Sequence, residues 1–399
     1  MDRRMKIGMA WAAFAGVGVA AFLWSCVATP PPTPPTAITP PPVPPAAIAP
    51  STPKPVVLNK PPMLGPVIPN IVILPAHMDE PEIRVKLTAE SDSPPAIVRS
   101  QYRGRIDILR LANGNYVAVN SLPLESYVEG VVVKELLGSW APATFRAQAI
   151  AARTFALFQM MATGPARQWD VNSDQSSQVY AGITRNTTAL TAVAATRGQV
   201  LTATVNGKTG IFCSFYSACI GGASQDPFEA WGDPSVPPLA AHLTGNVDDN
   251  DKQFNWDRDF VATQADVTRC VQNWGARNSF PYLQALGNVV SVIISKRNQT
   301  TRRPTELLLT DAAGKSAPIR AEEFRLALLN DPTGKAPKPY SSNFEIRPQG
   351  DTFVMYNGHG FGHGIGMSQW GAQNLALKGY SHTQILSFFY PGSGLQQLW

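Results

Sequence analysis

The sequence contains few of the residues that most often build metal centres and nucleic-acid surfaces. Its 399 residues include four cysteines and five histidines, and charged residues make up only 15% of the chain. The net charge of +5 is small for this length and no basic cluster is present, so nothing indicates a nucleic-acid track. Hydrophobic residues make up 44%, which allows most of the chain to bury a core.

The cysteines do not follow a zinc-finger pattern. Cys213 and Cys219 are six residues apart, and no histidine lies within twenty residues of them. Zinc fingers use shorter cysteine spacings, so we expect a disulfide or two buried thiols ahead of a zinc site. Cys270 leaves an odd number of cysteines beyond the N-terminal segment, and its role stays open.

The N-terminal segment predicts export. Arg3, Arg4 and Lys6 precede an uncharged apolar run over residues 7–24, which is typical of a signal segment and long enough to span a bilayer. The following Cys26 ends a sequence that resembles a lipobox, where the cysteine is acylated. A lipoprotein, an uncleaved anchor and free secretion remain open. In each case the folded part lies outside the cytoplasm, and we expect it to be anchored and to face the periplasm or cell wall.

A proline-rich stretch separates this anchor from the folded part. Residues 30–69 contain 17 prolines, a composition that favours extended polyproline conformation over a packed core. At about 3.1 Å per residue the stretch spans on the order of 100 Å. The predicted organisation is an anchor at residues 1–26, a linker at 27–80 and a folded domain at 81–399. Within the folded domain, the core consists of about 121–240 and 340–399, and an accessory β-rich part covers about 245–335.

Hydrophobic periodicity over the folded part predicts an α+β fold of helices and antiparallel strands around a groove. Helices are expected near residues 123–137, 142–161, 265–274 and 321–329, and a last helix enters from the glycine-rich run and ends near Gly379. Strands are expected near 83–87, 105–111, 116–120, 198–218, 289–296 and 306–311, with turns at Asn113-Gly114 and Asn206-Gly207.

One glutamate lies on the apolar side of the first predicted helix. Val132, Val131 and Val128 precede Glu135 by three, four and seven residues, so the four side chains form one stripe. Burial there disfavours the charged carboxylate and raises its pKa, as a general acid requires near neutral pH. Alternatively, Glu135 reaches water or pairs with an arginine of the second predicted helix. Arg146 and Arg153 share a face of that helix and can lower its pKa or bind an anionic or carboxamide-bearing substrate.

The run over residues 358–372 alternates glycines with functional side chains. The glycines permit positive φ and close approach to another surface. His359 and His363 are candidates for proton transfer or metal binding, although two histidines without a third ligand make a weak metal site. Gln369 and Trp370 are residue types that bind sugars. A tight structural loop with His363 hydrogen-bonded inside is the alternative.

Several runs together resemble one family, the stage II sporulation protein D family, also called SpoIID/LytB. The two most specific runs are residues 145–156, with the core AQAIAARTFA, and residues 362–372, which read GHGIGMSQWGA. Shorter runs occur in the same order along about 280 residues, from Ser121 to the C-terminus: residues 124–135, 177–182, 196–201, 219–222, 231–232, 323–325 and 385–392.

The resemblance implies a peptidoglycan lytic transglycosylase, which cuts between N-acetylmuramic acid and N-acetylglucosamine and leaves a 1,6-anhydro end. Such members prefer glycan stripped of stem peptides by an amidase partner, whereas other members are amidase enhancers. The resemblance makes Glu135 the acid and places Arg146 where lysine is usual. Some members bind zinc through cysteines spaced as Cys213 and Cys219 are, with nearby histidines that this sequence lacks.

These expectations fit a mechanism with one carboxylate. The 6-hydroxyl of the sugar is the nucleophile, so Glu135 first protonates the leaving oxygen and then accepts the hydroxyl proton. The substrate-binding candidates are Arg146, Arg153, His363, Ser368 and Gln369. A non-catalytic peptidoglycan-binding or amidase-enhancing module stays open, as does a hydrolase that pairs Glu135 with Asp170 or Asp174. The expected partners are glycan strands, an amidase and the membrane, with no cofactor.

Overall fold

The fold is organised around one long, alanine-rich helix that lies between two apolar cores. The computed structural model describes residues 56–57, 71–164 and 167–399, and over these residues the predicted α+β class is confirmed. The helices are α1 (Leu124–Glu135), α2 (Pro142–Thr163), α3 (Thr187–Ala195), α4 (Pro227–Trp231), α5 (Gln264–Asn278), α6 (Pro281–Gln284), α7 (Ala321–Leu329), α8 (Gln369–Leu377) and α9 (His382–Phe389).

The strands form small sheets that are mainly antiparallel. In chain order they are β1 (Val56–Val57), β2 (Glu82–Lys86), β3 (Arg105–Arg110), β4 (Tyr116–Pro123), β5 (Val171–Asn172), β6 (Gln199–Val205), β7 (Lys208–Ile211), β8 (Tyr216–Ser217), β9 (Phe260–Thr263), β10 (Val289–Arg297), β11 (Pro304–Asp311), β12 (Lys315–Arg320), β13 (Glu345–Gln349), β14 (Thr352–Tyr356), β15 (Met367–Ser368) and β16 (Gly394–Gln397). The sheet orders are β3-β4-β2-β5, β16-β6-β7, β1-β12-β11-β10, β13-β14-β9 and β15-β8.

Helix α2 joins the two cores because its side chains are small on several faces. Pro142 occupies its first turn, where the missing N–H is not needed, and alanine favours the helix throughout. Ala147 and Ala151 pack into one core, while Ala149 and Ala152 pack into the other. Neighbouring elements therefore approach α2 closely from both sides, which brings distant parts of the sequence together at its surface.

The predicted helices and hairpins agree closely with the structure. Helices α1 and α2 begin and end within two residues of the predicted bounds. Strands β10 and β11 pair as an antiparallel hairpin, and β6 and β7 turn at Asn206 and Gly207, which both have positive φ. Strand β9 pairs with β14, so the segment expected to be accessory shares a sheet with residues near 352–356.

The boundary between linker and folded part needs correction. Residues 71–80 were assigned to the linker, but Val72 exchanges two backbone hydrogen bonds with Ile211, and Met78 donates one to the Leu398 carbonyl. Val72 and Met78 also pack against an apolar core, which explains why this stretch is ordered. The predicted anchor and Cys26 lie outside the described residues. In the ranges that are described, no helix has the length and apolar character needed to cross a membrane.

Arg153 forms a buried ion pair that holds α2 against α1. Its side chain is 0% exposed, and its Nε and Nη2 atoms donate to the Glu125 carboxylate at 2.9 and 2.7 Å. Glu125 also accepts from the Gly198 backbone and from the Trp399 indole. A guanidinium in this position cannot touch a substrate, so the substrate-binding role predicted for Arg153 does not fit its location.

Removing one partner of this pair should destabilise the fold. Arg153→Met leaves the Glu125 charge buried without its cation, and we expect the free energy of unfolding to fall by about 3–5 kcal/mol. Urea denaturation of the full chain measures this change. The control Arg258→Met breaks the exposed pair with Asp257 and should change stability by less than about 0.5 kcal/mol. An Arg153→Met protein of normal stability that had lost glycan affinity would contradict the structural role.

Candidate active site

The carboxylate of Glu135 lies at the C-terminal end of α1, partly buried between α1 and the elements around α2. The helix ends there because Leu136 takes an extended conformation, with φ −121° and ψ 152°. The C-terminal end of a helix carries partial negative charge, which disfavours a second negative charge beside it. Position as well as burial therefore favours the neutral acid.

Three hydrogen-bond donors from three separate segments point at this carboxyl group. Gln369 donates its side-chain amide to Oε2 at 3.0 Å, and the Val179 backbone N–H donates to Oε1 at 3.3 Å. The Tyr216 hydroxyl is the third donor. Glu135 and Gln369 are 234 residues apart in the chain, so the fold alone creates this cluster.

Burial and hydrogen bonding act on Glu135 in opposite directions. Burial raises the pKa of Glu135, and the bonds from Gln369, Val179 and Tyr216 lower it; burial is the larger effect, so the pKa lies above its ordinary value. Among the described residues no arginine or lysine forms an ion pair with Glu135. The expectation of a desolvated carboxyl group on the valine stripe thus agrees with its position.

A buried chain of polar side chains orients the Tyr216 hydroxyl. Tyr127 donates its hydroxyl hydrogen to Gln178 Oε1 at 3.1 Å, and Gln178 Nε2 donates to the Tyr216 oxygen at 2.9 Å. Because that oxygen accepts from Gln178, the tyrosine hydrogen is left for Glu135. Burial, followed by the charge of Glu135, raises the pKa of both tyrosines well above the ordinary value, so both stay protonated donors.

Gln369 is held in place by the start of α8. Ser368 caps this helix by accepting from the Gly371 N–H at 3.1 Å, and it donates to Asp248 at 2.8 Å. One turn later Gln373 accepts from Ala141 and Thr144 at the start of α2. Ser368 is fully buried, so its position supports Gln369 and does not offer a substrate contact.

His363 fixes the glycine- and histidine-rich run over residues 358–372 against the backbone of Tyr216. Its Nε2 donates to the Tyr216 carbonyl at 2.9 Å and its Nδ1 accepts from the Ile365 N–H at 2.9 Å, which fixes a neutral ring. Burial, with the charges of Arg325 and Arg303, lowers its pKa to about 3. The buried ring matches the alternative of a structural loop, and it does not reach the position of a substrate.

None of the other predicted charged residues forms an ion pair or hydrogen bond with Glu135 in the described part of the chain. Arg146 is half-buried with an Nε that has no hydrogen-bond partner in the described part of the chain, and its charge, after burial, lowers the pKa of His382. Asp170 is paired with Arg84 through a 2.6 Å contact, and Asp174 accepts from Ser176 within a surface turn. Neither aspartate hydrogen-bonds to the cluster around Glu135, which gives the hydrolase alternative no second carboxylate there.

The cysteines are separate thiols over the described residues. Cys213 accepts from the Gln159 amide at 3.5 Å, whereas Cys219 contacts the Asp248 carbonyl at 3.8 Å, and neither forms a disulfide. Burial raises the pKa of both thiols. No group of three or more histidine, cysteine, aspartate or glutamate side chains suited to a metal is found where the structure is described.

The sequence did not predict a role at the site for Tyr216 or Gln178. Tyr216 lies between Cys213 and Cys219, the two candidate metal ligands, and Gln178 lies in the resembling run over residues 177–182, where it has no assigned role. Trp370, a candidate for sugar stacking, is half-exposed and packs its ring edge against Trp140 with centroids 4.9 Å apart. No periodicity in the sequence links Tyr216 or Gln178 to Glu135, because the contacts that join them are all long-range.

Fold and site together define an α+β protein built around one desolvated carboxyl group. Residues 112–202 match the model of the SpoIID family, described as stage II sporulation protein. This match includes Glu135 and Gln178 and confirms the family resemblance seen in the motifs.

Three curated proteins show the same similarity over longer stretches. The amidase enhancer of Bacillus subtilis (strain 168) is 27% identical over 297 residues, which cover 67% of this chain and 40% of that protein. An uncharacterized protein of Brachyspira hyodysenteriae is 26% identical over 283 residues, or 70% of this chain and 68% of that protein. Stage II sporulation protein D of Bacillus subtilis is 26% identical over 354 residues, or 83% and 92%.

Removing the Gln369 amide should raise the Glu135 pKa further. Gln369→Ala deletes a hydrogen bond that favours the carboxylate, while the burial that disfavours it remains. Titration of the Glu135 side-chain carbon by NMR, assigned through its loss in Glu135→Gln, measures the pKa in both proteins. We expect a value above the ordinary 4.5 in the parent and a higher one in the variant. A parent value at or below 4.5 would refute the desolvated acid.

His363 should stay neutral throughout the physiological range. Its folded pKa of about 3 lies below the value of about 6.5 in an unfolded chain. The unfolded state therefore binds the proton first as pH falls, so the contribution of His363 to stability is full above pH 6.5 and declines below it. Imidazole nitrogen NMR from pH 5 to 8 checks this, with His363→Gln for assignment. A protonation step in that range would contradict the buried neutral ring.

Proposed function

We propose that this chain is an exported peptidoglycan lytic transglycosylase that cuts the bond between N-acetylmuramic acid and N-acetylglucosamine in peptide-stripped glycan. The observation that carries the proposal is the single carboxyl group of Glu135, with a raised pKa and three donors around it. The family match adds to it, because the members that cut use the glutamate of this run.

The reaction needs one proton that leaves and returns. Protonated Glu135 gives its proton to the glycosidic oxygen as the bond from the muramic acid C1 to that oxygen breaks. The carboxylate then takes the proton of the 6-hydroxyl on the same sugar. As it does so, the 6-hydroxyl oxygen bonds to C1 and closes the 1,6-anhydro ring. The acid is regenerated, and no water or second carboxylate takes part.

The donors around Glu135 suit both halves of this cycle. Burial favours the protonated acid before the cut, and Gln369, Val179 and Tyr216 stabilise the carboxylate once the proton has left. General acid–base catalysis favours a pKa near the operating pH, and burial shifts the pKa of Glu135 upward, in that direction. The proposed location outside the cytoplasm rests on the signal-like segment and on Cys26.

A second candidate function is an enhancer of a cell-wall amidase that binds glycan without cutting it. It is favoured by the 297-residue similarity to a protein named for that role, the amidase enhancer. In this case the residues around Glu135 would bind peptidoglycan, and the protonation state of Glu135 would not affect the outcome.

Replacing Glu135 separates the two functions. The full chain is incubated with peptide-free glycan strands, and 1,6-anhydro ends are counted by mass spectrometry. We expect Glu135→Gln to lower their rate of formation by about 10²–10⁴-fold, because the amide cannot transfer the proton. Glu129→Gln alters a carboxylate of the same helix that pairs with Arg103, and it should keep normal activity. A folded parent that binds glycan but forms no anhydro ends would favour the enhancer.

A further inference from the structure

A cavity lies away from the Glu135 cluster and includes His359 of the glycine- and histidine-rich run over residues 358–372. It has a volume of about 420 Å³ and opens to solvent, and none of the residues that surround the Glu135 carboxyl group lines it. Residues that do line it include Asn246, Phe254, Arg302, Asn343, Asn357 and His359. We propose that this cavity is a saccharide-binding site that holds a stretch of glycan at a distance from the point of cleavage.

The walls of the cavity are fixed by contacts among themselves. His359 Nδ1 lies 2.8 Å from Asn255 Oδ1, and Arg297 donates to Glu345 at 2.6 Å, which cancels both charges. Gly221 brings the backbone of one wall so close to Gly360 that an added Cβ would lie 2.5 Å from its nitrogen. Such a wall is formed before any ligand arrives, which lowers the entropy cost of binding.

Strained backbone is concentrated at this cavity. Over the described residues four residues other than glycine have positive φ, and two of them, Arg302 at 61° and Asn357 at 47°, line it. Conformations of this kind cost free energy and cluster at ligand sites, where they set the direction of a side chain. The backbone conformation at Arg302 and Asn357 therefore sets the direction in which their side chains leave the chain beside the cavity.

The side chains of Asn246, Arg302 and Asn357 are exposed and that of Asn343 is half-buried, so all four are open to a ligand. The amides of Asn246, Asn343 and Asn357 form no side-chain hydrogen bond within the described chain, and the Arg302 guanidinium has no ion pair there. An amide offers a donor and an acceptor side by side, which matches a hydroxyl or acetamido group. The half-buried ring of Phe254 adds an apolar face for a sugar ring. Arg302 then favours a sugar that carries a carboxylate over a neutral one.

The length of chain between His359 and Gln369 limits the distance from the cavity to the Glu135 cluster. His359 is ten residues from Gln369, so the two positions are at most about 36 Å apart. A strand of several sugars is long enough to cover that distance. This inference depends on the proposed glycan specificity but not on cutting.

Binding measurements in a non-cutting background test the site. All proteins carry Glu135→Gln, and calorimetry measures their binding of chitotetraose and of peptide-free glycan strands. The protein with the parent cavity is compared with a double variant that carries Asn246→Ala and Asn357→Gly. Glycine at position 357 keeps the positive φ. Loss of two amides should weaken binding of both ligands by about tenfold. Arg302→Gln should weaken only the strands, since they alone carry muramic acid carboxylates. Gln299→Ala, an exposed neighbour, serves as the control.

The outcomes separate this site from the proposed function. Unchanged affinity in the double variant and in Arg302→Gln would overturn the cavity as a saccharide site, even where the wild-type chain still cuts glycan. Binding of neither ligand by the Glu135→Gln parent would overturn both the site and the glycan specificity. Selective loss of strand binding in Arg302→Gln, with chitotetraose binding retained, would support the preference for an acidic sugar.

Discussion

The burial of one carboxyl group at the end of α1 is the constraint on which the site depends. Glu135 is unfavourable there as a charged group, and donors from three other segments offset only part of that cost. Much of the surrounding polar structure serves to hold those donors: Gln178 orients Tyr216, and the Ser368 cap with Gln373 fixes the helix that carries Gln369. The fold thus favours the protonated form of one carboxyl group.

Local patterns in the sequence predicted the parts of the fold that depend on local chemistry. Alanine content and a first-turn proline marked α2, and valine spacing marked both α1 and the unusual position of Glu135. Turn residues at Asn206 and Gly207 marked the β6–β7 hairpin. These signals act within about ten residues, so the sequence contains them without reference to the rest of the chain. Helix α9 was missed although Ser381 and Gln384 form a capping box at its start.

The contacts that complete the site act over long sequence distances and were not predictable in this way. Arg153 was expected to meet substrate or Glu135, but Glu125 is on the neighbouring face of α1 and pairs with it in the core. His363 has a side-chain type that often transfers protons, yet burial lowers its pKa, so the ring is neutral and has a structural role. Only the packing around α2 decides which of several polar residues reach the carboxyl group.

The most direct test of the account is the position of the scissile oxygen. A crystal structure of the Glu135→Gln protein with a peptide-free tetrasaccharide should place a muramic acid glycosidic oxygen about 2.6–3.2 Å from the side chain at position 135, the range for proton transfer. The 6-hydroxyl of the same sugar should face that side chain as well. A tetrasaccharide bound only elsewhere, with no glycosidic oxygen near that side chain, would contradict the role of Glu135 as the acid.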